Sequence, residues 1–335
     1  MVKVVVDAMG GDHAPEVNLE GARLAVEEGF ATPDEIVLVG QAERLREHAT
    51  ATGGVCCEME VVDAPDVLDP GDEPSKAMRR SPRNSIAVGI GLLQEGRGEA
   101  FVSAGSTGVV AATASLVLGT LEGIRRPGIG IVIKGERGPF LVVDVGANPQ
   151  PKPHHLLQYA LMGVAYLRDT FGNPNPRVGL LNIGSEEKKG NPLTREAAEL
   201  LRGAARINFI GNVEGVELFH GGCDVVVCDG FTGNVLIKSS EGLAEHVMLL
   251  MARTMAEVGV AAETIHGVVE RLKPKLDYSA YGGALLLGAN GVVTICHGRS
   301  SAAAICNAIR FAKQAVGAKV NEHIVAFARE ASAAS

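Results

Sequence analysis

The sequence contains no tryptophan, and aromatic residues make up only 4% of its 335 positions. Stacking platforms for bases are therefore scarce, which argues against a single-stranded nucleic-acid binder. An excess of positive charge is missing too. The formal net charge is −8, so no nucleic-acid partner is expected. The six cysteines, Cys56, Cys57, Cys223, Cys228, Cys296 and Cys306, include no CxxC pair. They fit neither a zinc site nor a secreted disulfide framework, and they read as reduced thiols of a cytoplasmic protein. HExxH, Gly-x-Ser-x-Gly and Gly-Lys-Ser/Thr motifs are absent, and no His/Asp/Glu set compels a metal. Two long uncharged windows, 100–121 and 279–296, are interrupted by Gly, Ser, Thr or Asn, unlike an unbroken membrane span. Met1 runs straight into a strand pattern, with no secretory leader in view.

What the chain does have is glycine, 42 of them, and a regular alternation of short β-branched runs with longer helical patterns. That alternation predicts a mainly parallel sheet covered by helices. Strands are expected at 2–6, 36–39, 58–62, 100–103, 130–133, 140–143, 177–182, 207–210, 224–228 and 292–296. Gly135-Glu136-Arg137-Gly138 reads as the turn of an antiparallel hairpin. Helices are expected near 16–29, 84–95, 106–118, 154–171, 194–202, 232–256, 263–275 and 300–330. No repeat or low-complexity linker divides the chain, so a single domain, 1–335, is expected. Within it, 233–278 forms two long helices joined near 258–262. Their apolar residues, with Met255, Val258 and Val260 at the turn, suit either a dimer interface or core packing, or a tip that dips into a membrane surface.

Polar residues cluster after strands in six places, the edge where open parallel sheets bind ligands. The first is Asp7-Ala8-Met9-Gly10-Gly11-Asp12-His13-Ala14-Pro15. Gly10 and Gly11 permit close backbone approach, and Asp7, Asp12 and His13 offer acid, base or orienting groups. Asp7 also suits a turn cap, and His13 a turn residue bonding its own loop. The second, Ser103-Ala104-Gly105-Ser106-Thr107-Gly108, opens a helix whose N–H groups favour phosphate or an oxyanion. The third is Asp144-Val145-Gly146-Ala147-Asn148. The fourth runs from Asn182 through Gly184, Ser185, Lys188 and Lys189 to Asn191, where a lysine can hold phosphate as a point charge. The fifth is Asp229-Gly230-Phe231-Thr232-Gly233-Asn234, followed by Lys238. The sixth, His297-Gly298-Arg299-Ser300-Ser301, joins cation, hydroxyls and helix N–H groups. Cys296 and His297 are neighbours on a strand, so they point to opposite faces and make an improbable dyad.

Each stretch is weak alone. In this order, together with Tyr281-Gly282-Gly283-Ala284-Leu285-Leu286-Leu287-Gly288, they resemble the phosphate acyltransferase family of bacterial phospholipid synthesis, the PlsX family. The resemblance runs nearly end to end. It implies transfer of a long-chain fatty acyl group from acyl carrier protein to inorganic phosphate, without a cofactor. It implies a three-layer α/β/α fold akin to phosphotransacetylases and isocitrate-type dehydrogenases, with a protruding helix hairpin. It also implies a homodimer, peripheral on the membrane beside the downstream membrane glycerol-3-phosphate acyltransferase.

On that reading phosphate sits between Ser106, Thr107, Lys188 and the 297–301 loop, with Gly10, Gly11, Asn182, Lys238, His297 and Ser300 in the binding set. Backbone N–H groups and Asn148 or Asn234 stabilise the oxyanion. His13 accepts a proton and Asp229 orients. Arg79, Arg80 and Arg83 either dock the acidic carrier protein or form a solvated basic face. Two other classes compete: a dehydrogenase of related fold, which needs a metal-binding carboxylate cluster, and a non-catalytic membrane scaffold, which tolerates loss of the loop polar residues.

Overall fold

Short runs of Val and Ile become strands because branched side chains pack well on a pleated surface, and helices then cover both faces. The computed structural model describes residues 2–52, 55–68, 79–276 and 282–333, and among these one sheet has eleven strands. They are β1 (Val4–Asp7), β2 (Ile36–Gly40), β3 (Glu60–Asp63), β4 (Ala100–Ser103), β5 (Gly128–Gly135), β6 (Gly138–Val143), β7 (Arg177–Leu181), β8 (Asn208–Val213), β9 (Val225–Val227), β10 (Ala284–Leu287) and β11 (Val292–Ile295). Their order across the sheet is β3-β2-β1-β4-β11-β10-β5-β6-β9-β7-β8. The helices are α1 (Glu16–Glu27), α2 (Ala42–Thr52), α3 (Ser85–Gln94), α4 (Thr107–Val117), α5 (Pro153–Phe171), α6 (Pro192–Gly203), α7 (Gly215–Leu218), α8 (Gly230–Glu257), α9 (Ala262–Leu276), α10 (Ala302–Gly317) and α11 (Val320–Ala333).

Alternation along the strands divides the apolar residues into two cores. Val4, Val6, Leu38, Leu141, Val143 and Val225 join α1, α5, α6, α10 and α11 on one face. Val5, Val37, Phe101, Val142 and Val226 join α3, α4 and the start of α8 on the other. The result is the expected three-layer α/β/α arrangement.

Strand direction changes in the middle of the sheet. β10 is antiparallel to both β11 and β5, and β5 is antiparallel to β6. Hence β1, β2, β3, β4, β11 and β5 run one way, while β10, β6, β9, β7 and β8 run the other. The polar loops therefore leave from two opposite ends of the strands, not one. The register keeps the two exits close: Val143, the last residue of β6, is level with Thr294, one residue before the end of β11. Laterally, β11 and β6 are three strand spacings apart, roughly 14 Å.

Four elements differ from the sequence expectation, the shortest being α7, a single turn that shows no periodicity. β10, Ala-Leu-Leu-Leu, was not expected as a strand, because it has no β-branched residue and all four positions are buried, so no alternation shows. α2 was not expected because few apolar residues mark its core face; Ala42, Leu45 and Ala49 provide it. The expected helix 300–330 is two helices. Lys319 takes a left-handed conformation at φ 53, and the chain turns so that Val320, Ile324 and Phe327 of α11 are buried.

The helix pair at 233–278 is present as α8 and α9, with 277–278 outside the described residues. α8 has 28 residues and is roughly 42 Å long. Only Gly230, Gly233 and Ile237, all in its first quarter, are buried. The remainder stands away from the sheet and pairs with α9, and Leu243, Val247, Leu250 and Val258 are exposed.

Candidate active site

The first row of loops follows β1, β4 and β11, which are neighbours in the sheet. Asp7 ends β1 and is buried. Its carboxylate accepts from the Ser103 hydroxyl at 2.6 Å and from the Met9 N–H at 3.0 Å. Burial pushes this carboxyl above its ordinary range, against the pull of those donors. The side chain of Asn18 donates to the carbonyls of Ala8 and Gly10, which fixes the turn. A Cβ on Gly10 would come within 2.6 Å of the Gly105 N–H nitrogen, so the β1 and β4 loops touch backbone to backbone. The Asp12 N–H donates to the Gly298 carbonyl at 2.8 Å, joining in the loop after β11.

Two helices begin on this row, α4 after β4 and α10 after β11, on opposite faces of the sheet. Ser106 precedes α4 and makes no side-chain cap, and Ser106 and Thr107 are exposed. Ser301 caps α10 by accepting from the Ala304 N–H. Next to it Ser300 is only 8% exposed, and its hydroxyl has no hydrogen-bond partner among the described residues. His297 Nδ1 accepts from the Arg299 N–H at 3.1 Å, so the ring is held in a fixed tautomer. Burial, then the nearby Lys238 cation, hold His297 below its ordinary pKa, and Glu241 opposes them. His13 is exposed.

The second row follows β6, β9 and β7. Asp144, fully buried, immediately follows β6. Its oxygens accept from the backbone N–H groups of Ile129, Gly146, Ala147 and Asn148 at 2.7–3.1 Å. Burial raises its carboxyl, and the four N–H groups counter that. Asn148 donates to the Pro127 carbonyl at 2.7 Å and accepts from the Arg126 guanidinium at 3.3 Å. Asp229 caps α8, accepting from the Thr232 N–H and hydroxyl. Gly233 lies so close to the Asp144 carbonyl that no side chain fits between them. Asn234 donates to the Val145 carbonyl at 3.2 Å. Asn148, Asp229 and Asn234 are thus brought together around one turn.

The two rows meet through α8. It starts in the second row, and Lys238, two turns on, reaches the electrostatic neighbourhood of His297 in the first. Lys238 also pairs with Glu241 at 2.9 Å, and Arg299 lies 3.8 Å from Glu245. Asn182 and the exposed Lys188 follow β7, two strands beyond β6, so Lys188 leaves the sheet from the end opposite Ser106 and Thr107. Arg79, Arg80 and Arg83 are exposed ahead of α3. The Arg83 N–H donates to Asp66 and its guanidinium lies 3.6 Å from Asp63. The preceding loop, Pro74-Ser75-Lys76, lies outside the described residues, as does Tyr281. The Cys296 thiol, wholly buried, is pushed up to about 12, which rules it out as a nucleophile near neutral pH. Among the described residues no group of three or more His, Cys, Asp or Glu is placed to hold a metal, as the dehydrogenase alternative requires.

The sequence model of a family described as "Fatty acid synthesis protein" matches residues 2–323. A phosphate acyltransferase of Desulfitobacterium hafniense is 45% identical over 329 residues, covering 96% of each chain. One from Thermodesulfovibrio yellowstonii is 42% identical over 327 residues, 97% of this chain and 93% of its own. The chain belongs to the phosphate acyltransferase family. Solved structures agree at the level of fold. A phosphotransacetylase from Streptococcus pyogenes superposes with a TM-score of 0.63 at 19% identity, covering 94% of both chains. A branched-chain phosphotransacylase from Enterococcus faecalis gives 0.59 at 16%, covering 94% of this chain and 99% of its own.

Within this family member, sequence reasoning missed Arg126 and the Ser103–Asp7 pair as parts of the loop clusters. Ser103 was available as the last residue of a strand that opens a glycine turn. Arg126 carried no local signal, because it precedes β5 by two residues and meets Asn148 only across the sheet edge.

Proposed function

We propose that the protein transfers a long-chain fatty acyl group from acyl carrier protein to inorganic phosphate, giving acyl phosphate for phospholipid synthesis. Beyond family membership, the observation that carries this reading is the first-row cradle. Two helix N-termini follow the adjacent strands β4 and β11, one on each face of the sheet, with a buried Ser300 hydroxyl without a partner among the described residues and His297 near the Lys238 cation. Such a set is matched to an oxyanion.

Phosphate is a competent nucleophile near neutral pH, so the protein need supply no covalent one. A phosphate oxygen attacks the thioester carbonyl. The tetrahedral oxyanion collapses, the C–S bond breaks, and the carrier thiolate leaves and takes a proton. Ser106, Thr107, Ser300 and Lys238 hold phosphate, with Gly10, Gly11 and His297 shaping the site. Asn234 steadies the oxyanion from the second row with its remaining amide hydrogen, while Asn148, whose amide hydrogens go to Pro127 and Asp144, holds the turn. His13 accepts the phosphate proton, Asp229 positions the α8 turn, and Lys188, in the loop that Asn182 opens, adds a cation on the second row. Incubation with long-chain acyl carrier protein and phosphate tests this: thiol release must depend on phosphate. A His13→Ala variant with wild-type turnover removes His13 as the base, and a Lys188→Ala variant with unchanged phosphate KM and kcat removes Lys188.

The same reading makes the protein a cytoplasmic homodimer that rests peripherally on membrane through the α8–α9 turn, where Met255, Val258 and Val260 lie. There it hands acyl phosphate to the membrane glycerol-3-phosphate acyltransferase. Among the described residues no helix is long and apolar enough to cross a membrane. Exposed Leu243, Val247, Leu250 and Val258 support a surface contact. Val258→Asp is expected to abolish flotation with anionic liposomes while leaving turnover in solution intact; unchanged flotation removes the tip from the contact. Arg79, Arg80 and Arg83 are the docking residues for the carrier, and charge reversal there is expected to raise its KM.

A further inference from the structure

The start of α5 collects cations that nothing in the first-row mechanism uses. Arg125, Arg126 and Lys152 are all exposed, and among the described residues none is paired with a carboxylate. Their surroundings are built, not loose. Gln158, one turn into α5, accepts from the Arg125 N–H at 3.0 Å and donates to the Gly123 carbonyl at 2.6 Å. Asn148 pins the next residues through the Pro127 carbonyl and accepts from Arg126 itself. Arg125 reaches the ring of His154 at 3.3 Å, and His155 Nδ1 accepts from the Lys152 N–H at 3.0 Å. Beside the Asn148–Arg126 contact lies Tyr159, with no exposed surface, whose hydroxyl faces the Asn148 side chain. The positive field is uncompensated: after burial, His154, Arg126, Arg125 and Lys152 in turn help push His155 down to about 4.

We infer that Arg125, Arg126 and Lys152, together with the N-terminus of the 19-residue α5, form a second phosphoryl-binding site, distinct from the Ser300 cradle. A carboxylate offers two oxygens. A phosphate group offers three or four, enough to meet two guanidinium forks and an ammonium together, at the positive end of the α5 dipole. This inference rests on the acyl-transfer reading for its substrates. The phosphoryl group comes either from free phosphate or from the phosphodiester of a pantetheine arm carrying the acyl thioester.

The test is an Arg125→Gln/Lys152→Gln double variant of the full chain, which keeps Arg126 and its Asn148 contact. Kinetics use acyl carrier protein, phosphate, and an acyl-N-acetylcysteamine thioester that lacks any phosphoryl group. Calorimetry uses pantetheine 4′-phosphate and inorganic phosphate. The expected result is a roughly tenfold rise in one KM, with a matching loss of affinity for the corresponding probe and unchanged kcat on the acyl-N-acetylcysteamine thioester. A rise for the carrier with weakened pantetheine 4′-phosphate binding assigns the arm; a rise for phosphate with weakened phosphate binding assigns free phosphate. Wild-type values for both KMs and both probes overturn the site. A higher carrier KM with unchanged probe binding also overturns it, in favour of contact with the acidic protein surface. If the wild-type protein turns over no donor, the acyl-transfer reading fails, while calorimetry still decides the anion site. An Arg125→Lys/Lys152→Arg variant, with charge kept, is expected to restore most of the affinity.

Discussion

The two rows of loops solve one problem in two ways. Each places a buried aspartate at the end of a strand, and in each burial raises the carboxyl above its ordinary range. Asp7 accepts from the Ser103 hydroxyl and the Met9 N–H, with the Ser85 hydroxyl and the Gly10 N–H also against it, so half of its donors are side chains, and its loop stays open to the α4 and α10 helix starts. Asp144 is wrapped by four backbone N–H groups, and its loop is closed further by Gly233 and Asn234 of α8. The first row therefore keeps free donors for an anion, whereas the second spends its backbone N–H groups and the Asn148 amide on itself. Polar residues after a strand mark a site only where the local hydrogen bonds leave donors over.

The largest effect expected from this contrast is on stability. Asp144→Ala strands four N–H groups, two buried and two half-buried, and is expected to cost about 4 kcal/mol, against about 2 kcal/mol for Asp7→Ala, half of whose donors are hydroxyls that can turn to other partners. Urea unfolding measures both, and equal losses would break the comparison. Second in size is a pH effect at the second row. His155 has a folded pKa near 4 against an ordinary 6.5, so the unfolded chain binds the proton first as pH falls. Stability is then full above pH 6.5 and declines on the order of 2 kcal/mol by pH 4. His155→Gln is expected to flatten that slope; a slope equal to wild type removes His155 as its source.

A smaller effect belongs to the first row. Ser300→Ala deletes a hydroxyl with no protein partner, so the melting temperature is expected to hold while phosphate KM rises roughly tenfold. A fall in melting temperature with unchanged KM would make Ser300 structural. The smallest effect is a titration. Lys238 lowers His297 and Glu241 raises it, so Lys238→Met is expected to move the ring's NMR titration up and Glu241→Gln to move it down, each by less than about one unit. Shifts of the same sign would mean that α8 does not connect the rows.

Much of this was legible in the chain. The β-branched runs located ten of the strands because alternation is a local signal. The six polar stretches fell at strand ends because glycine and capping residues mark those turns. Asn148, Asp229 and Asn234 were identified separately and prove to share one turn. The cap formed by Asp229 and Thr232 lies within four residues, so a local motif carried it. Arg126 was not legible, since its partner Asn148 is 22 residues away and the contact depends on the β5–β6 pairing.

By itself the sequence determined the layers, the two cores, the family and the chemistry of each loop, because side-chain periodicity and backbone punctuation are properties of neighbouring residues. Only the tertiary structure decided which loops face each other. That depends on which strands are neighbours and how they run. β10, four buried residues without a pattern, is antiparallel on both sides, so it seats β5 beside β11 with the two running the same way. The β5–β6 hairpin then reverses the rest of the sheet, sends the β6, β9 and β7 loops out of the other end and leaves α8 to carry Lys238 towards His297.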